Sequence, residues 1–301
     1  MTFPVELPLK SYLGAPLGNF TVASGYDFRT AGAMAWLSQL AYETRDPDKV
    51  SKALANWQLA LKSPIKHTKT GSTDTHGLVV AGWGATIIAF TGTDPLKPKN
   101  WLTDFTLGGP EEEIHAGFKD GFAAVQSQIE AAVQARGDQN KRLFIAGHSL
   151  GAALAAVAAK FVQETLAEVE GVYTFGMPRC FRPRFAELYE NLLGPRTYRL
   201  VHGDDVVPTV PPSGLDFRHV GRLLKCPHGG SFEGLQPSGG PSDEPQFSAG
   251  QSVGDLLRGI GKGILPRATQ PGLLGWFYRW LNPSIGDHLP SRYLHALGQR
   301  P

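Results

Sequence analysis

The stretch from Arg142 to Leu166 limits what this chain can fold into more than any other. An apolar run, Arg142-Leu143-Phe144-Ile145-Ala146, leads straight into Gly147-His148-Ser149-Leu150-Gly151, and an alanine-rich segment follows. The run reads as a short buried strand and the segment as a helix, so the glycine-flanked serine occupies a sharp strand-to-helix turn. Such a turn brings neighbouring backbone close together, and the two glycines leave room for it. It lifts the Ser149 hydroxyl above a sheet edge at a helix N-terminus, where negative charge is favoured. Ala152, Ala153, Ala155 and Ala156 let the helix pack closely against strands. A serine cap after a buried strand is the plainer reading. The full context favours a nucleophile.

The same alternation extends on both sides. A helix is predicted near Thr30 to Tyr42, and a second opens at Asp46-Pro47 with Val50, Leu54, Trp57 and Leu61 at helical spacing. Leu78-Val79-Val80 and Thr86-Ile87-Ile88-Ala89-Phe90, separated by Gly82-Trp83-Gly84, suggest a hairpin. Phe118, Phe122, Val125, Ile129 and Val133 mark one long amphipathic helix ending at Gly137. Gly171 to Gly176 and Thr197 to His202 read as strands, with a helix from Arg184 to Leu193 between them. Strands alternating with helices predict an open α/β architecture: a central, mostly parallel sheet flanked by helices on both faces. The 301 residues fit one such domain, 1–301. Gly, Ser and Pro dominate from His228 to Gly250, which reads as a flexible loop near 228–250. Beyond it, Val253, Leu256, Leu257, Ile260 and Ile264 share a helical face weakened by glycines, and Leu273 to Leu281 is the most aromatic stretch of the chain.

Composition excludes several classes. With 42% hydrophobic residues, 19% charged residues and a formal charge of +2, the chain reads as an ordinary globular protein with no basic stripe for nucleic acid. The start lacks the charged-then-apolar pattern of a signal peptide, and no run approaches the roughly 18 apolar residues that cross a bilayer. These features fit a soluble protein, secreted or cytoplasmic. Cys180 and Cys226 make no zinc pattern or disulfide framework; they read as packed thiols, a single bridge between them being the alternative.

A serine hydroxyl becomes a useful nucleophile when a histidine takes its proton and an acid fixes that histidine's tautomer. After Ser149 the histidines are His202, His219, His228, His288 and His295. Asp205 follows a predicted strand and precedes Val206-Val207-Pro208, which places it on a loop at a strand end, where catalytic groups of open α/β sheets gather. Its neighbour Asp204 is the local competitor. One oxyanion donor is expected from the backbone N–H of Leu150, directly after the nucleophile. His202, Asp204 and Asp205 lack a third well-spaced ligand set, so neither a metal nor a cofactor is expected.

At these residues the chain resembles the class 3 lipase family, the group that includes the fungal triacylglycerol lipases. Gly147-His148-Ser149-Leu150-Gly151-Ala152-Ala153-Leu154-Ala155 is close to that family's nucleophile signature. Phe90-Thr91-Gly92-Thr93, Asn100-Trp101-Leu102-Thr103-Asp104, Ile114-His115-Ala116-Gly117-Phe118, Thr174-Phe175-Gly176-Met177-Pro178-Arg179, Asp204-Asp205-Val206-Val207-Pro208 and Asp287-His288 follow in the family's order. The resemblance spans roughly Ala31 to Tyr293 and implies an α/β-hydrolase fold. It assigns the acid to Asp205 and the base to His288, with His295 the runner-up. It makes Thr93 the second oxyanion donor, held by Asp104, and gives His148 and His115 supporting roles. A short lid is implied near 94–104, with Trp101 and Leu102 on the substrate side. Two features depart from the family: Thr91 stands where arginine is often found, and prolines and lysines interrupt the lid segment. Trp276 and Phe277 would wall an acyl pocket or, facing outward, touch a lipid interface. The implied function is hydrolysis of acylglycerol esters through an acyl-enzyme. An esterase for smaller soluble esters, feruloyl esters included, and a silent scaffold of the same fold are the alternatives.

Overall fold

The structure, a computed structural model, describes residues 5–68, 74–92, 113–211, 216–239 and 286–301. Seven strands form one sheet in chain order: β1 (Ala60–Thr68), β2 (Asp74–Gly82), β3 (Ala85–Phe90), β4 (Arg142–His148), β5 (Gly171–Phe175), β6 (Thr197–His202) and β7 (Arg222–Cys226). The first three strands pair antiparallel and β3 to β7 run parallel, so the sheet is mixed. The central strands are buried on both faces, which is why β3 to β5 read as largely apolar rather than alternating. Side chains alternate across the sheet. Ile87, Ala89, Phe144, Ala146, Tyr173 and Phe175 enter one core, while Ile88, Phe90, Leu143, Ile145 and Val172 enter the other. Burying a residue such as Phe144 contributes about 1.5–3 kcal/mol, so this double core anchors the platform for the loops above it.

Eight helices among the described residues cover these faces. α1 (Leu9–Leu13), α2 (Phe28–Leu40), α3 (Pro47–Asn56) and α8 (Pro290–Ala296) supply residues to the first core. α4 (Ala116–Ala123), α5 (Gln126–Gln134), α6 (Leu150–Thr165) and α7 (Pro183–Leu193) supply the second. Asp27 caps α2 by accepting from the Thr30 N–H at 2.7 Å. Asp46 caps α3 in the same way through the Lys49 N–H at 3.0 Å, with Pro47 in its first turn. Cys180 and Cys226 are buried free thiols.

The helix expected from Phe118 to Val133 is in fact two. Val125 leaves the helical region, with φ −122° and ψ 1°, and its carbonyl starts α5 by accepting from Gln128 and Ile129. Phe118, Phe122, Val125, Ile129 and Val133 are all buried nonetheless. The apolar period is therefore intact while the backbone steps at the buried β-branched residue. The start of the loop expected near 228–250 packs on the sheet edge: Ser238 exchanges two backbone hydrogen bonds with Leu223, and Phe232 is fully buried. Residues 240–250, the proposed helical face from Val253 to Ile264 and the aromatic run from Leu273 to Leu281 lie outside the described residues.

Candidate active site

β4 ends at His148 and α6 begins at Leu150, which leaves Ser149 alone in the turn with φ 61° and ψ −129°. A non-glycine residue held there stores strain on the order of 1–3 kcal/mol, and the surrounding backbone must over-determine it. It does so here. The Ser149 N–H donates to the Phe175 carbonyl at 2.9 Å, and the Ser149 carbonyl accepts from the Ala152 N–H at 2.9 Å. A β-carbon on Gly151 would lie 2.6 Å from the Thr91 carbonyl, so the first turn of α6 can approach β3 this closely only as glycine. Gly147 is pressed against the Gly151 carbonyl from the other side.

Two further loops meet the serine. Ser149 Oγ lies 2.8 Å from His288 Nε2, and His288 Nδ1 lies 2.9 Å from Asp205 Oδ2. All three residues are buried. Asp205 sits just beyond β6, as expected of a residue at a strand end, and Asp204 beside it is exposed. The Asp205 carboxylate is fully engaged: Oδ2 also accepts from the Tyr293 hydroxyl at 2.6 Å and Oδ1 from the Val207 N–H at 2.9 Å. Burial, reinforced by the Asp205 charge, pushes the Tyr293 phenol well above its ordinary pKa, so it remains a donor. His295 is exposed on α8, while the contact to Ser149 is made by His288.

The two loops are tied to one another by Asp287, which is fully buried. Its carboxylate accepts from the Asp204 N–H at 2.9 Å and meets His228 Nδ1 at 2.7 Å, with His202 Nδ1 3.4 Å away. Sequence reasoning found Asp287 only as half of a motif, and missed Tyr293 and Tyr42 altogether. Tyr293 lies five positions past the base on α8, at no spacing that marks it.

Leu150 opens α6, so its N–H belongs to the first turn, where donors have no partner within the helix. The end of β3 runs beside the nucleophile: a β-carbon on Gly92 would lie 2.8 Å from Ser149 Cβ. Thr93 follows at once but lies outside the described residues, as do Asp104, Trp101, Leu102, Trp276, Phe277 and the whole lid segment 94–104. His148 faces away from the serine hydroxyl, with Nδ1 2.8 Å from the Tyr42 hydroxyl and Nε2 2.7 Å from the His288 carbonyl. His115 caps α4 by accepting from the Gly117 N–H at 3.3 Å. Among the described residues no group of three or more His, Cys, Asp or Glu could hold a metal ion, and no helix is long and apolar enough to cross a membrane.

Several buried histidines make stability depend on pH. Burial lowers the pKa of His148 well below the usual imidazole value, with His288 adding to it, and burial followed by Arg199 and Arg179 does the same to His219. Both stay neutral in the native state, whereas the unfolded chain binds protons below about pH 6.5. The unfolded state is therefore favoured as pH falls from about 6.5 toward the lower native pKa values, by up to about 1.4 kcal/mol per pH unit per group. The urea midpoint is expected to drop between about pH 6.5 and pH 5, before most carboxylates titrate. A midpoint constant over that window would refute the assignment of neutral, buried imidazoles.

The chain is similar in sequence and fold to known lipases. Residues 87–215 match the family model described as lipase (class 3). The secreted mono- and diacylglycerol lipase 1 of Fusarium solani is 35% identical over 133 residues, covering 42% of this chain and 39% of that protein. A lipase of Rhizomucor miehei is 31% identical over 174 residues, covering 52% of this chain and 47% of that protein. The chain thus spans less than half the length of these two relatives. The solved structure of lipase II from Rhizopus niveus shares the α/β-hydrolase fold at TM-score 0.55 and 22% identity, over 67% of this chain and 82% of that one. Over residues 87–215, which carry the ordered motifs around Ser149, the chain is similar to the class 3 lipase family.

Proposed function

We propose that this chain hydrolyses the carboxylic esters of acylglycerols through an acyl-enzyme on Ser149. The observation that carries the reading is the buried line from Ser149 Oγ through His288 to Asp205, with contacts of 2.8 and 2.9 Å. His288 Nε2 takes the hydroxyl proton as Ser149 Oγ attacks the ester carbonyl. Asp205 holds the proton on Nδ1 and stabilises the imidazolium. The tetrahedral oxyanion is met by the Leu150 N–H and by Thr93, which Asp104 positions. Collapse expels the alcohol, protonated by His288, and leaves the acyl group on Ser149. Water activated by the same histidine then releases the fatty acid.

The substrate class is argued from the relatives, whose names state mono- and diacylglycerol lipase and lipase. From the resemblance alone we infer that the segment near 94–104 serves as a lid, with Trp101 and Leu102 contacting substrate and Trp276 and Phe277 contacting the acyl chain or a lipid interface. Hydrolysis of emulsified mono-, di- and triacylglycerols, set beside a chain-length series of nitrophenyl esters, tests the proposal. Turnover of long-chain acylglycerols is the expected result. Activity confined to short soluble esters would replace the lipase reading with the esterase one. Failure of Ser149 to react with a fluorophosphonate would remove the hydrolase reading entirely.

A further inference from the structure

One phenol and one imidazole join the three segments that build the site. Tyr42 lies in the 3-10 turn Ala41–Glu43, at the end of α2, far from Ser149 in sequence. Its hydroxyl accepts from the Gly92 N–H at 3.2 Å, at the end of β3. The same hydroxyl is 2.8 Å from Nδ1 of His148, the residue directly before the nucleophile. His148 Nε2 is in turn 2.7 Å from the backbone carbonyl of His288, and the two imidazoles pack with centroids 4.7 Å apart.

The chemistry of these atoms fixes the order of donors. A carbonyl oxygen only accepts, so His148 Nε2 must carry a proton. Burial and the neighbouring His288 keep the His148 ring neutral, so its other nitrogen is a bare acceptor. The Tyr42 hydroxyl must then donate to Nδ1, which leaves its oxygen lone pairs for the Gly92 N–H. These three contacts share one consistent order of donors: Gly92 N–H to Tyr42 Oη, Tyr42 O–H to His148 Nδ1, and His148 Nε2–H to the His288 carbonyl.

We propose that Tyr42 is a positioning residue for acyl transfer: through His148 it holds the backbone of the base, and directly it holds the strand end that leads to Thr93. The inference rests on the hydrolase reading above. Without the hydroxyl, His148 loses the Nδ1 donor that, together with the His288 carbonyl, selects its Nε2–H tautomer, and the carbonyl alone holds it less firmly. The His288 carbonyl then loses a fixed partner, and the 2.8 Å contact between His288 Nε2 and Ser149 Oγ loses its support. Gly92 is freed at the same moment. The effect falls on the alignment of the reacting atoms, not on substrate affinity.

Tyr42→Phe keeps the ring and removes the hydroxyl. With a soluble nitrophenyl ester, and rates normalised to sites titrated with a fluorophosphonate, kcat is expected to fall about tenfold to a hundredfold while KM changes by less than about twofold. Correlation spectra of the imidazole nitrogens should show wild-type His148 protonated on Nε2 alone at neutral pH, and a mixture of tautomers in the variant. A wild-type kcat in folded Tyr42→Phe overturns the proposal while leaving the hydrolase reading intact. If the variant does not fold, the wild-type spectrum decides: His148 protonated on Nδ1 overturns the proposal. An inactive wild type, unlabelled at Ser149, is the separate outcome that overturns the hydrolase reading and this inference with it.

Discussion

Replacing Ser149 with alanine is expected to lower ester hydrolysis by about a million-fold, leaving only the rate supported by binding and the oxyanion donors. The size follows from the geometry. Ser149 Oγ is the atom placed 2.8 Å from His288 Nε2, and alanine removes it while keeping the β-carbon. The strained turn therefore changes little, because φ 61° is no harder for alanine than for serine. Gly151, the Phe175 carbonyl and the Ala152 N–H continue to hold the backbone. The variant should fold and bind substrate with a near-normal KM, and the loss should appear in kcat alone. His288 Nε2 is left in a buried site without its partner, which costs about 1–3 kcal/mol of stability unless water fills the gap. Single-turnover kinetics on purified Ser149→Ala, with circular dichroism to establish folding, measure both effects. Retention of more than about a thousandth of the wild-type rate would show that another group performs the attack.

The parts of this fold that the sequence discloses are those whose own residues carry the pattern. β3 to β5 are buried on both faces and so appear as largely apolar runs, and α3 and α7 have the amphipathic spacing of half-buried helices. The turn at Ser149 is legible because two glycines, a strand and an alanine-rich helix coincide within a few residues. The strands at the two ends of the sheet were not legible. β1 carries Pro64 and an exposed Leu61 at a register shift, which an edge strand tolerates and which erases alternation. β7 has only Leu224 and Cys226 buried. The step at Val125 left no trace because the apolar period runs through it. Tyr42, Tyr293 and Asp287 act through partners far away in the chain: Tyr42 on His148, Tyr293 on Asp205, and Asp287 on the backbone of Asp204. Local spacing has no means of recording such contacts. Asp205 and His288 were reached through resemblance and chain order, and their distances came only from the folded chain.

Asp205→Asn should cost about ten-thousand-fold in kcat although the side chain keeps its shape. The carboxylate works as an acceptor at every contact. Oδ2 takes hydrogen bonds from His288 Nδ1 at 2.9 Å and the Tyr293 hydroxyl at 2.6 Å, and Oδ1 takes one from the Val207 N–H at 2.9 Å. An asparagine has one acceptor oxygen and one donor group, and neither orientation fits. If the amide NH2 occupies the Oδ2 position, it faces the Tyr293 proton and donates to His288 Nδ1. The imidazole proton is then driven to Nε2, where it points at Ser149 Oγ and removes the lone pair that must accept the serine proton. If the amide is turned over, the NH2 meets the Val207 N–H, donor against donor in a buried site. The first orientation abolishes the base and the second costs about 1–3 kcal/mol of stability, so the variant is damaged in either case. Tyr293→Phe separates the two effects: it removes the conflict with the Tyr293 hydroxyl in the first orientation, so the double variant should regain stability without regaining activity. Chemical denaturation and kcat for Asp205→Asn, Tyr293→Phe and the double variant test this. A single Asp205→Asn variant within about tenfold of wild-type kcat would mean that Asp205 does not set the tautomer of His288, and that the acid must be sought elsewhere.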